Sequence, residues 1–398
     1  MINALFICRE YPPFEVGGVA RHAYYLVKHL RSKGVKVHVL SFGDPERSDK
    51  SVTFVKPKSS IIEKDKTSIL RDARIPLEIV GFAGKAEKML KEGGYDIAHV
   101  QEPYVGGLVR YKNKITTIHD TSYGELKAII RHPLNAQNVK RALFYVAMGF
   151  PMEIASIASS KFIIAPSDEV AEELLKVYRV PPRSLKVIWN GLEEEIYDKT
   201  DISRIDARRK LDLPLNKVIV FATSQHVARK RLDVLIEAAK IMKEDGAENI
   251  KIIIGGAGPL TSFLKKKAND YGLNDMIVFA DWIPVKKLPL YYRAADIFVM
   301  TSEYEAGPMT LLEAAINGAG LISSDIGGFA SLLINGTHAL KVQVGDPEQL
   351  AESMRMLSED KTLRQRLGHE ARNFAKKFSW SKIAEETKSL YEETLNSG

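Results

Sequence analysis

Short apolar runs alternate with longer amphipathic patterns along most of the chain. One amphipathic pattern covers residues 19–33 and stops at Gly34, a residue type common just after a helix. The apolar runs of the first half are ALFICRE, KVHVLSFG, DIAHVQ, KITTIHD and KFIIAPS. Such alternation is typical of parallel strands covered by helices on both faces. The pattern therefore predicts an α/β fold.

A second series of the same kind begins near residue 186. It runs through KVIWNG and an acidic stretch over residues 193–216, and then through the apolar runs KVIVFATS, KIIIGGAG, MIVFADW, DIFVMTS and GLISSD. Residues 350–398 are nearly all helical in pattern. No repeat and no low-complexity linker separates the two series. We therefore predict two doubly wound, Rossmann-like domains over residues 1–187 and 188–378, with a last helix over residues 379–396.

Length and composition agree with two globular domains. The 398 residues exceed what one ordinary core supports, and a content of 45% hydrophobic and 27% charged residues is that of a soluble globular protein. No apolar run approaches the roughly 18–20 residues that a membrane-spanning helix needs. The start MINALFICREYPPF does not resemble a secretory signal, and a lone Cys8 forms neither an intramolecular disulfide nor a cysteine metal cluster. A cytoplasmic protein is expected.

The net charge of +7 is concentrated in the first half. Residues 1–187 hold 29 Lys and Arg against 20 Asp and Glu, or +9, whereas residues 188–398 hold 28 against 30, or −2. Either these are solvated surface lysines, or the first half faces an anionic partner such as a phosphorylated acceptor or a membrane surface. The segment Asn138–Ser159 is apolar enough for a membrane-facing helix, or it is ordinary core. Nucleic acid is not expected, because no arginine-rich tract with interleaved aromatics occurs.

In open α/β sheets, ligands bind beyond the carboxyl ends of the strands, so the residues after each apolar run are the candidates for function. Gly17 and Gly18 open the first helix, where backbone amides favour an anion; the alternative is a simple tight turn. The spacing GxGxxG of a dinucleotide site is absent. His119 ends the strand TTIHD and either contacts substrate or has a structural role.

A basic cluster follows one strand of the second half. Arg229, Lys230 and Arg231 stand just before a helical pattern. Cations at such a turn can neutralise a leaving diphosphate, which stabilises a transition state electrostatically. The alternative is a basic surface loop.

Two carboxylates flank Gly307-Pro308 in TSEYEAGPMTLLEAA. Glu305 precedes the helical pattern and Glu313 lies inside it, among leucines and alanines where an unpaired buried carboxylate is costly. The amides of Met309 and Thr310 fall at the helix N-terminus, where they are free to donate. The pair is therefore interpreted as facing one ligand, although Glu305 alone also fits a charge favoured by the helix dipole.

The motif SEYEAGPMTLLEAA…DIGG resembles the E-x7-E signature of retaining glycosyltransferases of family 4. These have the GT-B architecture, in which two Rossmann-like domains face each other across a cleft. The resemblance covers nearly the whole chain, and its further segments follow in order: YPPFEVGGVARHAYYLVKHLRSKGVKVHVL, TIHD, APSDEVAEELLK, KVIWNG, ARKRLDVLIEAA, GGAGPL and LPLYYRAADIFVMTS. The tail FSWSKIAEETKSLY resembles the helix that crosses back to the N-terminal domain in this family.

The resemblance implies a role for each matched residue. Glu305 and His119 would contact the donor sugar, Lys230 would hold the diphosphate, and Glu313 would accept hydrogen bonds from the ribose. The backbone amides of Met309, Thr310 and Leu311 would bind sugar hydroxyls and phosphates, and Gly17 and Gly18 would approach donor phosphate or acceptor. The resemblance implies no metal and no cofactor besides the nucleotide-sugar donor.

The chain departs from the family pattern in two places. Ser224 and Gln225 stand where the family usually has Gly-Arg, so one phosphate-binding cation is missing and Arg229 is the candidate to replace it. Gly307-Pro308 stands in a loop that usually reads E-G-F-G, which removes one amide and one aromatic side chain. Ser224, Arg229 and Gly307 are therefore expected around the donor, with the identity of the donor left open.

The function expected from the resemblance is retaining transfer of a hexose from a UDP- or GDP-linked sugar to a hydroxyl of a glycan, lipid-linked or small-molecule acceptor. The first domain would bind the acceptor and the second the donor. Two alternatives stay open: a nucleotide-sugar-binding subunit with little catalysis, and a phosphorylase or epimerase on the same fold. A location in the cytoplasm, or peripherally at the inner face of an anionic membrane, is expected.

Overall fold

The chain forms two compact units. The structure is a computed structural model that describes residues 1–13, 18–57, 69–130 and 136–397, with the side chains of 69–77, 136–138 and Phe329 left out. The first unit comprises Met1–Gly191 and Trp380–Gly398, and the second comprises Leu192–Ser379. The boundary expected from the sequence, between residues 187 and 188, lies just before this division.

The first unit is built on a parallel seven-stranded sheet in the order β3-β2-β1-β4-β5-β6-β7. Its strands are β1 Asn3–Ile7, β2 Lys36–Phe42, β3 Val52–Val55, β4 Ile97–Val100, β5 Lys114–Thr117, β6 Phe162–Ala165 and β7 Leu185–Val187. Its helices before the boundary are α1 Gly18–Ser32, α2 Ile69–Glu92, α3 Pro103–Gly106, α4 Ser122–Ile130, α5 Ala136–Phe144, α6 Phe150–Ala158 and α7 Asp168–Lys176, with a π-helical turn Tyr145–Gly149 between α5 and α6.

The inner strands of this sheet are largely buried, as continuous apolar runs predict for parallel strands, whereas the edge strands β3 and β7 are partly exposed. All four residues of β4 and of β6 are buried. The helix predicted over residues 19–33 is confirmed as α1. Gly34 follows it with φ +81°, and the amide of Val35 donates to the carbonyl of Leu30 at 3.1 Å, which closes the helix end.

The second unit repeats the design with a parallel six-stranded sheet in the order β10-β9-β8-β11-β12-β13. Its strands are β8 Val218–Thr223, β9 Ile250–Gly255, β10 Ile277–Asp281, β11 Ile297–Met300, β12 Gly320–Ser324 and β13 Ala339–Val342. Its helices are α8 Glu194–Tyr197, α9 Arg204–Lys210, α10 Leu232–Glu244, α11 Thr261–Asp270, α12 Leu288–Ala294, α13 Met309–Ile316, α14 Phe329–Leu332, α15 Pro347–Glu359 and α16 Lys361–Ala375. The predicted α/β class with two doubly wound sheets is confirmed.

The final helix, α17 Trp380–Asn396, belongs to the first unit. Its Trp380 and Tyr391 are buried, and the Lys186 amine on β7 pairs with Glu393 at 2.9 Å. A side chain at Gly191 would bring its Cβ within 2.5 Å of the Trp380 ring. The helix α17 is therefore closely packed within the first unit.

Strand order places two switch points at defined positions. In the first unit, the chain reverses direction across the sheet between β1 and β4, and in the second unit it does so between β8 and β11. The register pairs Ile297 with Val220 and Phe298 with Phe221, so β8 and β11 end side by side. Loops that follow strands at a switch point diverge and leave room for a ligand. In the second unit, the basic cluster follows β8 and Glu305 follows β11, whereas His119 of the first unit follows β5, the strand next to β4.

Candidate functional site

The loops after β8 and β11 are joined by hydrogen bonds. The amide of Glu303 donates to the carbonyl of Arg229 at 2.9 Å. The hydroxyl of Thr301 donates to the carbonyl of Lys230 at 2.8 Å. The register of the two strands thus brings the basic cluster and the acidic loop together, although they are more than 70 residues apart in sequence.

Glu305 is the centre of this region. Its side chain is only 8% exposed, and the Lys230 ammonium group hydrogen-bonds its Oε1. The hydroxyl of Ser302 donates to the same oxygen at 2.7 Å. The guanidinium of Arg229 lies 3.7 Å from Oε2. Glu305, Lys230 and Arg229, which the sequence singled out separately, therefore form one cluster.

The charge state of Glu305 follows from these contacts. Burial raises the pKa of a carboxyl group, but here the charges of Lys230 and Arg229 and the hydrogen bonds from Lys230 and Ser302 outweigh burial, so the pKa of Glu305 is lowered from its ordinary value of 4.5. Glu305 is a carboxylate at neutral pH. A buried carboxylate that already accepts from a cation can accept from further donors such as sugar hydroxyls.

The three cations of the basic cluster have different partners. Arg229 also donates to the carbonyl of Tyr304 at 3.1 Å, which holds its guanidinium beside the acidic loop. Arg231 adopts a left-handed conformation with φ 48° and pairs with Asp233 at 3.3 Å and Glu303 at 3.9 Å. Arg229 and Lys230 thus share Glu305, whereas Arg231 pairs with other carboxylates.

The start of α13 supplies backbone donors. Pro308 is the N-cap in an extended conformation, and the helix runs from Met309. The amides of the first helical turn have no acceptor within the helix, which applies to Met309 and Thr310. The amide of Leu311 instead donates to the carbonyl of Pro308 at 3.2 Å. Of the three amides that the resemblance implicates, the third therefore already has an acceptor in the chain.

Glu313 lies within α13 with a neutral partner. It is 2% exposed, and the hydroxyl of Tyr292 on α12 donates to its Oε2 at 2.7 Å. Tyr292 is itself fully buried. Sequence patterns did not single out Tyr292; its position in the apolar helical run LPLYYRAA gave no reason to separate it from the core.

The residue that follows β8 lies very close to the residue that follows β9. The backbone of Gly256, at φ +109°, lies so near Ser224 that an added Cβ would come within 1.9 Å of the Ser224 carbonyl oxygen. The Ser224 hydroxyl is buried and has no hydrogen-bond partner among the residues that the structure describes. Buried polar groups normally have one, so this hydroxyl is available to a ligand or water.

In the first unit, His119 follows β5. Its Nε2 lies 2.7 Å from Oε1 of Gln101, which follows β4, and its ring packs edge-on against His22 with centroids 4.6 Å apart. Burial, with a smaller contribution from His99, lowers the pKa of His119 to about 4, so the ring is neutral at pH 7. Gly18 is the exposed first residue of α1, and Gly17 lies outside the described residues.

The segment considered for membrane contact forms α5, the π-helical turn and α6. Several of its apolar side chains are exposed: Val139, Leu143, Val146 and Ile154. Across the part of the chain that the structure describes, no helix combines the length and apolarity needed to cross a bilayer. Peripheral membrane contact stays a prediction. Within the same described ranges, no group of three or more His, Cys, Asp or Glu is placed to hold a metal ion.

Comparison with solved structures identifies the class of fold. The structure is similar to the sucrose-phosphate synthase of Thermosynechococcus elongatus, with a TM-score of 0.82 at 18% identity over 100% of both chains. It is also similar to Anabaena HepE solved with UDP and glucose, with a TM-score of 0.75 at 16% identity over 99% of this chain and 100% of that one. The fold is therefore the GT-B fold of glycosyltransferases.

Sequence comparison identifies the family. The model for glycosyl transferases group 1 matches residues 203–374, and the model for glycosyltransferase family 4 matches residues 16–196. An uncharacterized glycosyltransferase of Methanocaldococcus jannaschii is 24% identical over 96% of both chains. A D-inositol 3-phosphate glycosyltransferase of Corynebacterium efficiens is 26% identical over 81% of this chain and 78% of its own. The chain belongs to the family 4 glycosyltransferases and is a glycosyltransferase.

Proposed function

We propose that this enzyme transfers a hexose from a UDP- or GDP-linked sugar to a hydroxyl of a glycan, lipid-linked or small-molecule acceptor, with retention of configuration. The observation that carries the proposal is the buried cluster of Glu305 with Lys230 and Arg229. The chemistry of relatives supports it: similar structures contain UDP-glucose in HepE and ADP in a starch synthase of Arabidopsis thaliana. No metal is required in this proposal, because fixed cations serve the diphosphate.

The proposed donor contacts divide between two kinds of group. Lys230, which is held beside Glu305, binds the diphosphate in this proposal, with Arg229 as the second cation. The amides of Met309 and Thr310 and the Ser224 hydroxyl add neutral donors. Positive charge fixed before the reaction stabilises the charge that develops on the leaving group.

The carboxylates bind hydroxyl groups in this proposal. Glu305 accepts from hydroxyls of the donor sugar while Lys230 and Ser302 hold its orientation. Glu313, oriented by the Tyr292 hydroxyl, accepts from the ribose. His119, as a neutral imidazole, contacts a substrate hydroxyl in this proposal.

The proposed reaction proceeds on one face of the sugar. The bond from the anomeric carbon to the diphosphate oxygen breaks, and a bond from that carbon to the acceptor oxygen forms on the same side. The acceptor proton passes to the departing phosphate oxygen. This route depends on stabilising the leaving group rather than on a strong enzymic nucleophile, which fits a site with fixed cations.

The test combines donor screening with transfer assays on the full chain. We expect one nucleotide-hexose to raise the melting temperature, because a ligand that binds only the folded state stabilises it. With that donor, Glu305→Gln and Lys230→Ala should each lower transfer by at least about a hundredfold, the size of loss expected when a group that stabilises developing charge is removed. Lys267→Ala is the matched control, because Lys267 pairs with Glu237 elsewhere in the same unit.

The outcomes separate the alternatives. Full transfer in both site variants would reject the proposed roles. Donor binding without transfer to any glycan, lipid or small-molecule acceptor would favour a nucleotide-sugar-binding subunit. Phosphorolysis or epimerisation of the bound sugar would favour the remaining alternative.

A further inference from the structure

A continuous chain of hydrogen bonds connects α17 with His119 in the first unit. The Tyr391 hydroxyl lies 2.6 Å from Nδ1 of His99 on β4. Nε2 of His99 lies 2.8 Å from the amide nitrogen of Gln101. The amide oxygen of Gln101 lies 2.7 Å from Nε2 of His119. Side chains from α17, from β4 and from the residues that follow β4 and β5 are thereby linked in series.

Burial strengthens the constraint that this series of hydrogen bonds places on His119. Tyr391 and His99 are fully buried, and Gln101 is buried as well. Thr117 on β5 adds a contact of 2.8 Å to the same nitrogen of His99 that Gln101 contacts. Buried hydrogen bonds face no competition from water, and a partner left unsatisfied there costs about 1–3 kcal/mol. Each member therefore has one strongly preferred protonation and orientation.

With the Gln101 amide nitrogen facing His99 and its oxygen facing His119, the donor and the acceptor at each step follow. Burial lowers the pKa of His99 to about 3 and that of His119 to about 4, so both rings are neutral near pH 7 and each has one donor and one acceptor nitrogen. The Gln101 amide nitrogen can only donate, so Nε2 of His99 accepts and its Nδ1–H donates to Tyr391. The Gln101 amide oxygen can only accept, so Nε2 of His119 donates to it.

The ring of His119 is also held from the side. His22 on α1 packs edge-on against it and has its own anchor, since Nδ1 of His22 lies 2.9 Å from the Asn190 amide oxygen. Trp380 packs edge-on against His22 with ring centroids 5.1 Å apart. Packing thus restricts the ring position, whereas Gln101 determines which nitrogen carries the proton.

We propose that Gln101, with His99 and Tyr391 behind it, is a positioning residue that holds His119 with its proton on Nε2 and its lone pair on Nδ1. His119 then meets a substrate hydroxyl as a hydrogen-bond acceptor. A phosphate oxygen would need a donor at that nitrogen, so the ligand group that His119 contacts through Nδ1 is a hydroxyl. The last step rests on the proposed function, in which His119 contacts a substrate hydroxyl.

The tautomer is measured without reference to activity. Full-length protein labelled with ¹⁵N-histidine is examined by long-range ¹H–¹⁵N correlation, and the His119 signals are assigned by their loss in His119→Gln. In the wild type we expect the protonated nitrogen of His119 to be Nε2. Gln101→Leu should let both tautomers exchange, and Gln101→Glu should keep the proton on Nε2, because a carboxylate there also accepts.

Two further variants separate the hydrogen-bond chain from simple packing. Tyr391→Phe removes the hydroxyl at the end of the chain and should shift the His99 signals. Thr387→Val removes another buried hydroxyl one turn away on α17, bonded to its own helix at Ile383, and should leave both histidines unchanged. A proton on Nδ1 of His119 in the wild type, or an unaltered tautomer in Gln101→Leu, would overturn the proposal.

Kinetics then connect the tautomer with the reaction. With the donor found by screening, kcat should fall on the order of tenfold in Gln101→Leu, as for other groups that orient a functional imidazole, while the donor KM stays within about twofold. Gln101→Glu should restore most of kcat. If no donor supports transfer, the proposed function fails while the tautomer still decides this inference; full activity in Gln101→Leu would reject the inference alone.

Discussion

The two units both present candidate residues just after the carboxyl ends of parallel strands, but the electrostatics of the two places differ. In the second unit, Glu305 is ionised and balanced by Lys230 and Arg229. In the first unit, His119 and His99 are neutral and are joined through Gln101. One topology thus supports a site of fixed charges and a site of oriented neutral hydrogen bonds.

The difference teaches what each site is suited to bind. Fixed cations beside a carboxylate suit a ligand with both phosphate and hydroxyl groups, because the cations attract the phosphate and the carboxylate accepts hydrogen bonds from the hydroxyls. A neutral network instead fixes the direction of each hydrogen bond, because a neutral imidazole or an amide donates on one side and accepts on the other. Three changes, taken from the largest expected effect to the smallest, test this contrast.

The largest effect is expected where a buried charge loses its partner. Lys230→Met leaves the Glu305 carboxylate with Arg229 at 3.7 Å as the remaining cation, so the second unit should lose about 3 kcal/mol of stability. Hydrogen exchange with mass spectrometry on the full chain should show this in peptides from β11 and α13, with peptides of the first unit unchanged.

A matched pair of variants serves as the control. The double variant Lys230→Met with Glu305→Gln removes the unpaired charge and should recover much of the lost stability. Lys267→Met breaks a more exposed pair in the same unit and should cost less than about 1 kcal/mol. A double variant no more stable than Lys230→Met would contradict the interpretation that the buried charge causes the loss.

The second test lowers the pH and measures how the stability of the first unit depends on His119. His119 has a pKa near 4 in the folded chain against an ordinary 6.5, so below pH 6.5 the unfolded chain binds a proton that the folded site does not. Stability should therefore fall as the pH drops from 6.5 to 4, by up to about 1.4 kcal/mol per pH unit for this group. The stabilisation of ionised Glu305 is instead present above pH 4.5 and is lost as the pH falls through its lowered pKa.

Comparison with His119→Gln isolates this effect. Glu153 in the same unit has a pKa raised to about 7 by burial, so its protonation favours the folded chain as the pH falls from 7 to 4.5, in the opposite direction. This contribution is common to wild type and variant. Exchange protection of β5 should therefore depend less steeply on pH between 6.5 and 4 in His119→Gln; equal slopes would mean that His119 titrates normally.

The smallest effect is expected at the carboxylate with a neutral partner. Tyr292→Phe removes the hydroxyl that donates to Glu313 at 2.7 Å, and it should destabilise the second unit by about 1 kcal/mol, the net value of one hydrogen bond. Denaturant-dependent exchange in α12 and α13 measures the change. Tyr291→Phe on the same helix is the control and should be close to neutral. A loss as large as that of Lys230→Met would remove the distinction between the two carboxylates.

Local patterns predicted much of the fold but missed its weakest elements. The helix ending before Gly34 was predictable because amphipathic period and a terminal glycine agree there. The strands β3 and β13 were not predicted, because VTFV and ALKV are short and partly polar. The short helices α8 and α9 lie in the acidic stretch over residues 193–216, where no helical spacing of apolar residues predicted them.

The sequence by itself determined the fold class and the chemical types at the strand ends, because apolar periodicity and residue chemistry are local properties. Only the tertiary structure decided the partners. The pairing of Lys230 with Glu305 depends on β8 lying beside β11, and the link from Tyr391 to His119 depends on α17 returning to the first unit. Protonation and orientation follow from such partners and from burial, and neither is encoded within any single segment.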